Sequence, residues 1–165
     1  MMKNEKIKIG LDFHGVLATN PQYFAGFCRK VIEKGWELHI ISGGPRKDIL
    51  AYLQANNIRF SKLYTILETC DNKGEVEYFA DGSFYVEESI WNKAKGEYCK
   101  KNKIDLHIDD SEYYAPYFST PFCLYKPHKG KCRIDKDNFS IRFTDGVDMA
   151  VRSIENYFLR TSKSR

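Results

Sequence analysis

Three short apolar segments of this chain each end in polar side chains, and this pattern constrains the fold more than any other feature. Asp12 and His14 follow the first segment, Ser42 follows the second, and Asp109 and Asp110 follow the last. Short apolar runs that alternate with helical patterns are typical of a parallel sheet covered by helices. The carboxyl ends of parallel strands form one edge of such a sheet, where binding sites collect. We therefore expect residues distant in sequence to meet at that edge.

The segments around these polar residues predict the order of the elements. A strand is expected over 6–12, followed by a helix that Asn20 caps, with Pro21 in its first turn and Gly35 at its end. We also predict strands over 36–41, 63–67, 104–108, 122–125 and 139–143, helices over 46–56 and 89–101, and a final helix that begins near Thr144 or Asp145. The result is a single α/β domain over 1–165, with a Rossmann-like, mainly parallel sheet and flanking helices.

An insertion at about 74–88 precedes the helix over 89–101. Its centre, Asp81-Gly82, lies between β-favouring arms and predicts a β-hairpin. Its aromatic residues could line the mouth of a site at the strand ends, or they could extend the packing of the sheet; they are Tyr78, Phe79, Phe84 and Tyr85. The edge of the hairpin could also support self-association into a homo-oligomer.

Composition excludes several classes of protein. With 42% apolar and 15% aromatic residues among 165, the chain can bury a substantial core, which excludes a disordered or fibrous protein. Its start is polar and no apolar run approaches the roughly 18 residues that span a bilayer, so we expect neither a signal peptide nor a membrane helix. Five cysteines without a C-x-x-C pair favour a reducing, cytoplasmic setting in which the thiols pack in the core.

Positive charge is concentrated in two segments of a chain with a net charge of +4. Residues 126–136 carry five lysine or arginine residues against one aspartate, and the last eight residues add three more. Such clusters could attract an anionic partner, nucleic acid included. We favour a solvated loop and a frayed tail, and we do not expect nucleic acid to be the partner.

Convergence of Asp12, Asp109 and Asp110 would have a chemical consequence. Carboxylates a few ångströms apart repel one another unless a cation neutralises them. Among hard divalent ions, Mg²⁺ takes one or two carboxylates and shares its remaining positions with water and substrate phosphate. The sequence therefore predicts a Mg²⁺ site. Taken singly, each aspartate could instead serve only as a turn or helix cap.

A phosphate brought to that ion would need further positive charge and hydrogen-bond donors. Lys93 near the start of a helix, the hydroxyl of Ser42 and the amides of Gly43 and Gly44 could supply them. The pattern of Trp91, Ala94 and Tyr98 defines the inner face of that helix and leaves its other lysines on the solvated side. Asp12 would then be placed to attack the phosphoryl group and form an aspartyl-phosphate.

These residues, in this order, resemble the motifs of the haloacid dehalogenase-like superfamily of Mg²⁺-dependent phosphohydrolases. Asp12-Phe13-His14-Gly15-Val16-Leu17 is similar to the first motif, Ser42 to the second, Lys93 to the third and Asp109-Asp110 to the fourth. The resemblance covers roughly residues 6–125. It implies that Asp12 is nucleophile and metal ligand, that the backbone carbonyl of His14 is another ligand, and that Asp109 and Asp110 anchor Mg²⁺. It also implies that the hairpin replaces a full cap.

One position departs from the family pattern. The phosphatases of this family usually have a second aspartate two residues after the nucleophile, and this chain has His14 there. Imidazole can transfer protons near neutral pH, so His14 is expected to act as general acid and base. The expected function is hydrolysis of a phosphorylated substrate, most simply a small molecule. The alternative is a catalytically impaired relative that binds a phosphate-containing ligand or a protein partner.

Overall fold

A seven-stranded sheet organises the part of the chain that the computed structural model describes, residues 5–134 and 138–162. The described residues form nine strands, of which β4 and β5 are a separate pair outside this sheet. In chain order they are β1 (Lys8–Asp12), β2 (Glu37–Ser42), β3 (Lys62–Thr65), β4 (Glu77–Tyr78), β5 (Phe84–Tyr85), β6 (Leu106–Asp109), β7 (Phe122–Leu124), β8 (Cys132–Ile134) and β9 (Phe139–Ile141). The order across the sheet is β3, β2, β1, β6, β7, β8, β9. The pairs from β3 to β7 are parallel, while β8 and β9 are antiparallel additions at one edge.

Helices cover both faces of this sheet. They are α1 (Pro21–Glu33), α2 (Arg46–Ala55), α3 (Ile66–Asn72), α4 (Glu88–Lys101) and α5 (Val147–Ser162). The helices α1 and α5 pack against each other over the larger core. On the other face Cys99 of α4 packs with Ile41 of β2. The expected α/β architecture, with a mainly parallel sheet and flanking helices, is confirmed.

The sequence signals for individual elements have clear physical counterparts. The Oδ1 of Asn20 accepts a hydrogen bond from the backbone N–H of Tyr23 at 3.1 Å, as an N-cap should, and Pro21 occupies the first turn of α1. Strands β4 and β5 form the predicted hairpin, with Gly82 in its turn at φ +87°. Since β4 and β5 are a separate two-stranded sheet, the hairpin does not extend the main one.

The structure corrects three of the predicted elements. The strand predicted over 63–67 ends at Thr65, and the next apolar residues begin α3, whose buried residues recur at helical rather than strand spacing. The basic loop contains β8, in which exposed Arg133 separates two buried residues. The last helix starts at Val147, after a turn at Gly146 with φ +98°.

The cysteines and the basic segment behave as ordinary structural features. All five cysteines are buried and free of disulfide bonds. In the basic segment Lys126 pairs with Glu112 at 2.7 Å, whereas residues 135–137 of this segment and 163–165 of the basic tail lie outside the described residues. Among the helices that the structure describes, none combines the length and apolar character that crossing a bilayer requires.

Two helical glycines give a matched test of the packing around α4. A Cβ added at Gly96 would lie 2.3 Å from the backbone oxygen of Tyr117, whereas a Cβ at Gly26 of α1 would lie 3.4 Å from a methyl of Val147, an ordinary contact. We expect Gly96→Ala to lower the free energy of unfolding by about 1–3 kcal/mol because of overpacking. Gly26→Ala should raise it by up to about 1 kcal/mol, as Ala favours helix. Urea denaturation checks both, and equal effects would contradict the close approach at Gly96.

Candidate functional site

The candidate site lies where β1 and β6 end. These strands are parallel neighbours with Leu11 beside Ile108, so Asp12 and Asp109 leave the sheet side by side. Asp110 follows directly, and carboxylate oxygens of all three aspartates lie within 4.8 Å of one another. Asp12 and Asp109 are buried, while Asp110 is exposed. The structure thus brings together the three aspartates that the sequence singles out.

A buried lysine bridges two of these carboxylates. The Nζ of Lys95 donates hydrogen bonds to Oδ1 of Asp12 and to Oδ2 of Asp109, both at 2.8 Å. Lys95 is only 4% exposed. Buried charges are tolerated when they are paired and hydrogen-bonded in this way. This cation therefore holds the ends of β1 and β6 together at the site.

The lysine at the site is not the one that the sequence suggested. Lys93 has a side chain 50% exposed to solvent and pairs with Glu97 at 3.7 Å on the surface of α4. The predicted inner face is confirmed at Ala94, while Trp91 and Tyr98 are half-buried. The buried residues of α4 also include polar and small ones that were not predicted: Asn92, Lys95, Gly96 and Cys99. A two-residue change in helix position rotates a side chain by roughly 200°. Lys95, and not the predicted Lys93, is therefore the lysine of α4 that lies beside the carboxylates and lines the cavity.

Asp109 is held by more than Lys95. The Nε2 of His107 lies 3.0 Å from Oδ2 of Asp109, and the backbone N–H of Ser111 donates to Oδ1 at 3.1 Å. The ring of His107 is fully buried and stacks on Phe118 with centroids 4.8 Å apart. Burial lowers the pKa of His107, so the neutral ring donates through Nε2. Both oxygens of Asp109 are thus occupied by protein donors.

Burial and crowding shape the charge of the site. Desolvation, reinforced by the charges of Asp109 and Asp110, raises the pKa of Asp12 to about 8 although Lys95 acts in the opposite direction. Burial opposes ionisation of Asp109 as well, but its hydrogen bond from His107 and the charge of Lys95 leave its pKa below the ordinary value. Burial also disfavours the charge on Lys95, and the two carboxylates more than offset this and raise its pKa. Without a further cation, Asp12 is the carboxyl that retains a proton.

Two carboxylates of the group have oxygens left for a ligand. Oδ2 of Asp12 accepts no hydrogen bond from the described residues, nor does the side chain of Asp110. Gly15, at φ +81°, lets the carboxylate of Asp110 lie directly against the turn after β1, because a Cβ there would clash with it. The donors are all oxygens, which suits a hard divalent cation. Asp12 and Asp110 are the residues best able to hold one, with Asp109 as their support.

The remaining predicted residues lie around the same point. Ser42 ends β2 in full burial, and its Oγ accepts from the N–H of Gly44 at 3.5 Å instead of facing the cavity. Gly43 and Gly44 do line the cavity, as does His14. The imidazole of His14 is exposed and lies against Gly44, since a Cβ on Gly44 would be 3.1 Å from Nε2. His14 therefore occupies the rim, while Ser42 supports the turn behind it.

A cavity of about 460 Å³ opens in front of the carboxylates. Its lining also contains Phe84 of the hairpin, Trp91 of α4 and Tyr114, together with Ile66. Sequence reasoning missed Trp91 and Tyr114 as wall residues. The burial of Lys95 was not predicted, because the sequence analysis placed the other lysines of this helix on its solvated side. Its spacing of four residues from Trp91 and from Cys99 is the signal that could have identified it.

Comparison with known proteins returns no match: no protein-family model fits the chain, and no curated protein is significantly similar to it.

Replacing the two lysines separately tests the bridge. In a chelating buffer, Lys95→Met leaves two buried carboxylates without their cation, and we expect a loss of about 3 kcal/mol or more in the free energy of unfolding. Lys93→Met removes only a surface pair and should change it by less than about 0.5 kcal/mol. Urea unfolding of both variants measures the difference. Equal stability of the two variants would contradict the buried bridge.

Proposed function

We propose that this protein is a Mg²⁺-dependent phosphohydrolase of the haloacid dehalogenase-like type, with Asp12 as its nucleophile. The observation that carries the proposal is the ammonium of Lys95 at 2.8 Å from both Asp12 and Asp109, at the mouth of a cavity. This arrangement fixes one oxygen of Asp12 and leaves the other for attack. The order of the motifs along the chain supports the same class.

The residues present fit a Mg²⁺ ion. Three carboxylates with oxygens within 4.8 Å of one another face a single lysine, which leaves negative charge uncompensated. When bound, the ion would supply positive charge to this group and to an incoming phosphate. Asp12, Asp110 and the backbone carbonyl of His14 are the groups that would hold it. A protonated carboxyl is a poor nucleophile, so the raised pKa of Asp12 favours a cation-dependent reaction.

The chemistry follows from the positions of Asp12 and His14. Oδ2 of Asp12 attacks phosphorus, a new O–P bond forms, and the bond between phosphorus and the ester oxygen breaks. The departing alkoxide takes a proton from the imidazolium of His14 at the rim. His14 then removes a proton from water, which attacks the aspartyl-phosphate and releases inorganic phosphate. Lys95 holds Asp12 in one orientation throughout, and Gly43 offers its backbone N–H to the phosphoryl oxygens.

A phosphatase assay with matched variants tests this function. We expect Mg²⁺-dependent turnover of an aryl phosphate that falls at least about 10³-fold in Asp12→Asn, because the nucleophile is lost. His14→Ala should lower kcat by about 10²–10⁴-fold through loss of proton transfer. His128→Ala, which removes an exposed histidine of the basic segment, should leave kcat unchanged. Phosphate release, measured with and without Mg²⁺, gives the activity of the parent protein and of the three variants.

The same assay addresses the alternative of a catalytically impaired relative. Its basis is that His14 stands where the family has an aspartate. No turnover by the parent protein, together with turnover by His14→Asp, would favour that alternative. Full activity in Asp12→Asn would contradict both accounts.

Proton release tests the electrostatics of the site. With a pKa of about 8, Asp12 is mostly protonated at pH 7, and a bound cation must displace that proton. We expect Mg²⁺ binding at pH 7 to release close to one proton, and its affinity to rise with pH until about pH 8. Calorimetry in buffers of different ionisation enthalpy measures the release. The proton release should vanish above about pH 9 and in Asp12→Asn. Mg²⁺ binding without proton release at pH 7 would contradict the raised pKa of Asp12.

A further inference from the structure

The lining of the cavity contains two unlike sets of side chains. We call the carboxylates with Lys95 the carboxylate wall, and the rings of Phe84, Trp91 and Tyr114 the aromatic wall. Three rings exceed what is needed to enclose a bare phosphate. Ligand pockets that combine a few polar groups with an aromatic wall use the polar groups for orientation and the rings for contact area.

The aromatic wall is built in a fixed arrangement. The indole N–H of Trp91 donates to the hydroxyl of Tyr114 at 3.4 Å, and the rings of Trp91 and Phe84 lie 5.8 Å apart at 35°. The indole of Trp91 packs directly against the backbone at Gly43, where a Cβ would lie 2.6 Å from the ring. The Nζ of Lys95 lies 5.0 Å from the centre of the Tyr114 ring. Rings that are positioned before binding lose little conformational freedom when a ligand stacks on them.

The helix α4 sets the distance between the two walls. Trp91 and Lys95 are four residues apart, so their side chains leave the helix roughly one turn, or about 5–6 Å, from each other. A ring stacked near Trp91 would therefore be close to a phosphoryl group at Asp12. A ligand that uses both walls must join its phosphate to its ring through a short connection.

Charge limits the number of phosphate groups. Among the described residues that line the cavity, Lys95 is the only lysine or arginine, and it is already paired with Asp12 and Asp109. No lysine or arginine in this lining is left to receive a second phosphate. Compared with a monophosphate, a diphosphate or a triphosphate would bring one or two further negative charges to an acidic surface.

We infer that the substrates of this site are phosphate monoesters whose alcohol carries a planar aromatic ring close to the phosphate, such as a nucleoside monophosphate. This inference rests on the proposed phosphohydrolase function and names its substrate class. Phe84, Trp91 and Tyr114 hold the ring, and the carboxylate wall receives the phosphate. Trp91 is the residue that determines the preference for a ring.

Pairs of substrates with equivalent leaving alcohols test the inference. Adenosine 5′-monophosphate and ribose 5-phosphate both release a primary alcohol, as do 2-phenylethyl phosphate and 2-cyclohexylethyl phosphate. Stacking of a base on an aromatic side chain changes binding by about 5- to 150-fold. We expect kcat/KM of the parent protein to favour the planar member of at least one pair by about tenfold or more. Equal values within both pairs would overturn the inference without affecting the hydrolytic function.

The two tryptophans of the chain provide a matched control. Trp36 precedes β2 at the opposite end of the sheet and packs on Phe158 of α5, with ring centroids 6.3 Å apart. Trp91→Leu should reduce the preference for the planar member to near unity, whereas Trp36→Leu should keep it. An unchanged preference in Trp91→Leu would overturn the role of Trp91.

A binding measurement separates this inference from the hydrolytic function. In the double variant Asp12→Asn and Trp36→Phe, Trp91 is the sole source of tryptophan fluorescence. We expect adenosine 5′-monophosphate or 2-phenylethyl phosphate to quench it saturably, and their non-aromatic counterparts to leave it unchanged. Quenching of this variant by a planar ligand, together with no phosphatase activity in the parent protein, would support the ring site and count against the proposed function. Absence of quenching by both planar ligands would overturn the ring site.

Discussion

The structure depends on one buried interaction, the ammonium of Lys95 placed between the carboxylates of Asp12 and Asp109. Burying the side chains of Lys95, Asp12 and Asp109 away from water has a large cost, which only close pairing and further hydrogen bonds offset. The parallel pairing of β1 with β6 brings the two aspartates together, and α4 supplies the lysine from across the sheet edge. Gly96, the residue after Lys95, lets α4 lie close to the backbone of Tyr117.

The contacts around this bridge divide the aspartates into two kinds. Asp109 receives hydrogen bonds from Lys95, His107 and a backbone amide, so it acts as a fixed support with a lowered pKa. Asp12 receives one bond and keeps one oxygen without a partner among the described residues, and burial raises its pKa to about 8. Such separation of two neighbouring carboxyl groups is how active sites give one group a structural role and another a reactive one. A cation at Asp12 and Asp110 would complete the charge balance.

Much of this arrangement could be predicted from the sequence, because the strand ends carry a local signal. Short apolar runs that end in Asp12 and in Asp109 indicate both the parallel sheet and the meeting of these residues at one edge. The position of Lys95 carries a weaker signal, its spacing of four residues from Trp91 and from Cys99. A lysine is ordinarily solvated, and the tertiary contact with two buried carboxylates is what favours its burial here. Of the aromatic wall the sequence indicated only Phe84. Trp91 and Tyr114 were missed, because the three rings meet through the folding of separate segments.

Anomalous diffraction from crystals soaked with Mn²⁺, a substitute for Mg²⁺, tests the central claim most directly. The account predicts one ion at about 2.1 Å from carboxylate oxygens of Asp12 and Asp110, with Lys95 still bridging Asp12 and Asp109. An ion bound elsewhere, or Asp12 turned away from Asp110 with no ion between them, would contradict it.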